Sequence, residues 1–86
     1  MLSYRQNQTE EGVTLKKYRI LKPILLGFLT PQDQFDATIG PEDGVILESD
    51  GHTIWTIGNG ERHESITVGY AIQLWLDRGL IIEIPE

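Results

Sequence analysis

No stretch constrains the fold of this chain more than Ser65–Ile84, which reads as one amphipathic helix, a glycine stop and a closing strand. Val68, Ala71, Ile72, Trp75 and Leu76 fall at i, i+3, i+4, i+7 and i+8, the stripe a surface helix buries. Ser65 or Thr67 suits the N-cap, where a side-chain oxygen accepts hydrogen bonds from free first-turn N–H groups. Arg78 complements the negative end of the helix dipole, and Gly79 suits the left-handed residue that closes a helix. Leu80 then packs back on Trp75, and the β-branched run Leu80–Ile84 predicts a strand. Gly69 weakens the first turn by roughly 1 kcal/mol relative to alanine, which the long stripe outweighs.

Such a helix needs a sheet to cover, and the preceding residues supply short strands. Leu15–Lys22 is the first, with Tyr18 and Ile20 on one side and Lys17, Arg19 and Leu21 on the other. Pro23 donates no N–H and marks a strand end, bulge or edge. Ile24–Leu29 is the most apolar run, and Gly27 in its middle predicts a bend or bulge. The run reads first as core; the competing reading is a partly exposed patch in which Leu25, Leu26 and Phe28 dock on a partner. Thr30–Asp33 is a turn with Pro31 pre-set for its second position. Gln34–Ile39 alternates, placing Phe35, Ala37 and Ile39 on one face. Gly40–Gly44 is an acidic, exposed loop containing Glu42 and Asp43.

Val45–Ile57 predicts a hairpin around Ser49-Asp50-Gly51, with Gly51 left-handed and Glu48 opposite His52. That register gathers Val45, Leu47, Trp55 and Ile57 on one face and leaves Ile46, Ile54 and Thr56 on the other. Gly58-Asn59-Gly60 turns the chain, and Glu61–Glu64 reads as a charged connection into the helix.

Eighty-six residues make one domain, and 40% apolar content with two Trp, three Tyr and two Phe is enough for a compact core. The expected class is α+β: a small, mainly antiparallel sheet or barrel of five to six short strands, packed on one C-terminal helix followed by a final strand. That last strand pairs with the first. The expected core is Tyr18, Ile20, Phe35, Ile39, Val45, Leu47, Trp55, Ile57, Ile72, Trp75, Leu76 and Ile82. Residues 1–14 are polar and without period, so they read as a flexible N-terminal arm ahead of a domain over 15–86. Tyr4 is an anchor through which such an arm would order on a neighbouring subunit.

Charge and chemistry exclude several classes of function. Thirteen acidic against seven basic residues leave a net charge of −6, too little cation to displace counterions from a duplex. Lys16, Lys17, Arg19 and Lys22 read as a solvated strand face or edge protection. With no cysteine there is no thiolate nucleophile or thiolate metal site. Ser3, Ser49 and Ser65 lack the glycine-flanked elbow that presents a catalytic serine. His52 and His63 lack ligand partners at metal spacing, so no metal and no cofactor is expected. No run reaches the ~18 apolar residues of a membrane span, and Met1–Gln8 lacks the apolar centre of a signal peptide.

Tyr18-Arg19-Ile20-Leu21-Lys22-Pro23, Gly27, Pro31-Gln32-Asp33-Gln34-Phe35 and Leu76-Asp77-Arg78-Gly79-Leu80-Ile81 resemble small bacteriophage-encoded accessory or virion-associated proteins. In those, a strand ending Leu-Lys-Pro precedes a Pro-Gly-Asp turn, and a short helix ends in Gly-Leu-Ile-Glu. Here Gln32 replaces the turn glycine, Ile82 precedes Glu83, and the Val45–Ile57 hairpin is an addition. The resemblance implies a location in the virion or host cytoplasm and carries no catalytic residue. The resulting expectation is a non-enzymatic interaction component that docks onto a larger assembly, through a protein partner or by self-assembly. The alternative is a small acidic inhibitor or adaptor that offers Glu42, Asp43, Glu48, Asp50, Glu61 and Glu64 to a basic surface of a nucleic-acid-handling protein.

Overall fold

The computed structural model describes residues 14–85. Its strands are β1 (Lys16–Ile20), β2 (Ile24–Leu29), β3 (Gln34–Ile39), β4 (Ile46–Ser49), β5 (Ile54–Gly58), β6 (Glu61–Ser65) and β7 (Ile81–Ile84), with one helix, α1 (Ala71–Asp77), before β7. Five strands form an antiparallel sheet in the order β6-β5-β4-β1-β7, and β2 pairs with β3 in a separate hairpin. The final strand does lie along the first, Lys17 opposite Ile84 and Ile20 opposite Ile81. The α+β class and antiparallel pairing agree with expectation. The barrel does not form, because β6 and β7 remain outer strands of an open sheet.

One strand more than expected arises at β6. Asn59 and Gly60 both take positive φ, 54° and 78°, the pair of a two-residue hairpin turn whose twist matches that of its strands. The charged run Glu61–Ser65 therefore folds back on β5, Gly58 opposite Glu61 and Ile54 opposite Ser65.

The helix is shorter than its apolar stripe. Ser65 and Thr67 do not cap it; their hydroxyls bind Gly27 of β2 instead. Ala71, Ile72 and Gln73 donate to the carbonyls of Val68, Gly69 and Tyr70, a tight three-residue winding that opens into α1. Its other end follows expectation. Gly79 has φ 71°, with Gly79 N–H bonded to Leu76 O and Leu80 N–H to Trp75 O, the double closure of a left-handed stop.

The β4–β5 hairpin has a four-residue loop, not three, and Glu48 faces Trp55 instead of His52. Asp50 Oδ1 accepts the N–H groups of His52 and Thr53, both at 2.9 Å, and Ser49 Oγ accepts from Gly51 and donates to Thr53 O. These N–H groups, Thr53 first, hold the Asp50 carboxyl below its usual range. The added loop residue exchanges the two faces of β5 relative to expectation. Ile54 joins Leu47 in the core, while Trp55 and Ile57 lie on the opposite face.

The core comprises Tyr18, Ile20, Ile24, Leu26, Leu47, Ile54, Ala71, Ile72 and Ile81, with Phe28, Ile39, Val45, Trp75, Leu76 and Leu80 packed around it. The helix and the β2–β3 hairpin cover one face of the five-stranded sheet. The other face, open among the described residues, carries Lys17, Arg19, Ile46, Glu48, Trp55, Ile57, Arg62, Glu64, Ile82 and Ile84. Ile82, expected inside, is 51% exposed there, and Phe35 is 47% exposed on β3.

Tyr18 gives the core a pH dependence. Burial, and secondarily the Glu83 carboxylate, push its hydroxyl above the ordinary value of 10.0. An unfolded tyrosine ionises at that value while the folded one stays neutral, so stability falls as pH rises through and beyond 10.0. Thermal melts on either side of that pH should show a drop that Tyr18→Phe reduces. An equal drop in the variant would assign alkaline unfolding to other groups.

Candidate functional site

The site grows from Gly27. Its strand is regular, Gly27 opposite Asp36, so the expected bend or bulge is absent. The glycine serves close approach instead. A Cβ there would stand 3.2 Å from Ile66 Cγ1 and 3.3 Å from Asp36 Oδ1. Gly27 O accepts Ile66 N–H at 2.9 Å and Ser65 Oγ–H at 2.7 Å, and Gly27 N–H donates to Thr67 Oγ1 at 2.9 Å. These bonds join the outer edge of β2 to the end of β6.

Beyond this joint the hairpin tip and β6 border an open cleft of about 610 Å³. One wall is the pair Phe28 and Phe35, stacked with ring centroids 5.6 Å apart. The other is β6 along Arg62, His63 and Glu64; His63 and buried Thr56 share the face turned to the hairpin, while the side chains of Arg62 and Glu64 belong to the open face of the sheet. Leu29, 66% exposed, stands at the rim. The volume lies within the ~300–1,000 Å³ range of binding pockets, with an aromatic side and a polar side.

The open face anchors β6. Arg62 reaches across the open face to Glu48, Nη2 at 2.9 Å and Nε at 3.0 Å from the same oxygen, while its guanidinium sits 4.2 Å over the Trp55 ring. Glu48 is buried, and this pairing satisfies its charge. His63 Nε2 lies 3.0 Å from Glu61 Oε1. Among the described residues, Glu64 forms no salt bridge.

The residues singled out in the sequence separate. Phe28 is half-buried in the cleft wall. Leu26 has no exposed surface and belongs to the core, which removes it from any docking patch. Leu25 is 57% exposed on the opposite face of the hairpin. Glu42 and Asp43 are exposed in a short 3₁₀ turn, Pro41–Asp43, where Asp43 Oδ2 accepts Gly40 N–H. Tyr4 and residues 1–13 of the expected arm lie outside the described residues. Arg62, His63 and Glu64 escaped notice as a wall because β6 read as a connection; the Asn59-Gly60 dipeptide was the signal for it.

A second cleft, of about 550 Å³, lies between the start of α1 and the β4–β5 loop, with Lys16, Asp50, Tyr70 and Glu83 on its walls. No cluster of three or more metal-ligating side chains occurs among the described residues. No helix among them is long and apolar enough to cross a membrane. No family model matches this chain, and neither a curated protein nor a solved structure does.

Proposed function

We propose that this chain is a non-enzymatic interaction component that docks onto a larger protein assembly, with the cleft between the β2–β3 tip and β6 as its docking site. One observation carries the reading: a stacked aromatic pair is left half outside the core, across a cleft from the outer strand β6. Aromatic side chains that a partner can bury are frequent anchors of a protein interface. The bacteriophage-like motifs favour a virion or its assembly as the setting. The acidic-inhibitor reading is weaker, because Glu48 is buried against Arg62 and Asp50 is engaged by its own loop.

Phe35→Ser separates the two. Half-exposed Phe35 contributes little to the core, so the variant should fold, with a loss of about 1 kcal/mol. A host protein retained by the immobilised wild-type chain should lose at least tenfold in affinity for this variant and keep its affinity for Glu42→Gln/Asp43→Asn. The reverse pattern, measured by calorimetry with the recovered partner, would install the acidic-loop reading in its place.

A further inference from the structure

We propose that the partner enters this cleft as an extended segment that adds a strand to the free edge of β6, an inference that rests on the docking role assigned to the cleft. The hairpin turn fixes which backbone groups are on offer. In a two-residue hairpin the closing pair, Gly58 and Glu61, exchanges hydrogen bonds, and bonded pairs alternate from there. Thr56–His63 and Ile54–Ser65 are therefore bonded pairs, while Arg62 and Glu64 aim their N–H and C=O groups away from β5. Ile66 continues this parity, and its N–H does bond outward, to Gly27 O. The edge is thus already used at one end and, among the described residues, unpaired along the cleft.

Across the cleft β2 has the same parity. Gly27 directs its N–H and C=O away from β3, so Leu29, two residues on, directs its own toward the same space. An added strand would meet backbone groups of Arg62 and Glu64 on one side and Leu29 on the other. Its side chains alternate, so one set faces Phe28 and Phe35 and should be apolar, as in other strand-addition grooves. The other set shares the open face with Glu64, which among the described residues has no ion pair, and within a chain of net charge −6 this favours basic residues there.

The test is a selection of random heptapeptides on the immobilised full chain, followed by amide hydrogen exchange with the best peptide bound. The expected consensus alternates apolar and basic residues. Exchange at Arg62 and Glu64 should slow at least tenfold. Methylating alternate peptide nitrogens should weaken binding at least tenfold. Glu64→Pro should do the same, since that N–H has no place in the β5 ladder and its loss leaves the hairpin paired. Peptides that bind, lose affinity with Phe35→Ser, yet leave Arg62 and Glu64 exchange unchanged overturn strand addition and spare the docking site. Peptides indifferent to Phe35→Ser overturn both. A selection that enriches no peptide overturns strand addition by short segments.

Discussion

Replacing Gly69 with alanine is expected to destabilise the fold far more than one methyl group usually does. The new Cβ would lie 2.4 Å from Gly51 O, 2.6 Å from Gly51 C and 2.7 Å from His52 C, all backbone atoms that have no rotamer to escape into. The loop they belong to is tied down: Asp50 holds His52 and Thr53, and Gly69 N–H itself bonds to His52 O at 3.1 Å. Relief requires the loop to open or α1 to lift from the sheet, and either exposes part of the core. The loss should exceed the ~1–3 kcal/mol usual for overpacking, a large share of the ~5–15 kcal/mol available to a small domain. Helix propensity predicts the opposite sign, a gain of about 1 kcal/mol. Urea unfolding of Gly69→Ala therefore decides between them. Gly51→Ala is the control: its φ is 97° but open space surrounds it, so only backbone strain of ~1–2 kcal/mol is expected. A midpoint for Gly69→Ala at or above wild type would mean that helix start and loop do not touch as described.

The fate of Gly69 shows which parts of the fold were legible. Local signals read true where the chain satisfies itself: the Gly79 stop and the turn at Asn59-Gly60 both follow from neighbouring residues. Readings failed where a side chain was recruited from a distance. Ser65 and Thr67 are good N-caps by local chemistry, but Gly27, about forty positions away, uses their hydroxyls, and the helix starts later. Gly27 read as a bend or bulge and Gly69 as a weakness because a glycine's value to a second piece of backbone cannot be seen in its own neighbours. The β5 faces were exchanged by a single residue, since Asp50 and Ser49 together close a four-residue loop that propensity does not distinguish from three. The candidate site inherits these limits. Phe28 was visible from hydrophobicity, whereas its opposing wall on β6 depends on a hairpin register.

Leu26→Ala is expected to remove ~2–5 kcal/mol, and Leu25→Ala, one position earlier, less than about 0.5 kcal/mol. The two belong to one apolar run and are chemically identical, so the difference isolates the face each occupies. Leu26 is fully buried beside Ile24 and the sheet core; Leu25 points outward opposite Thr38. Similar losses at both positions would mean that β2 pairs in another register. The consequence reaches the site, because β2 and β3 stand outside the five-stranded sheet. They are held to it by the Gly27 bonds and by the side chains of Ile24, Leu26 and Phe28. Removing Leu26 should therefore loosen the hairpin before the rest of the domain, as local opening follows the weakest set of contacts. Amide exchange in β2 and β3 should accelerate more than in β4 and β5. The cleft needs the hairpin as one of its walls, so partner affinity should fall with that opening even in conditions where the larger sheet stays folded. Leu25→Ala, leaving the hairpin seated, should change binding only if the partner wraps around its outer face. Measured together, the two variants distinguish a contact made by the surface of β2 from one that depends on how firmly β2 is seated.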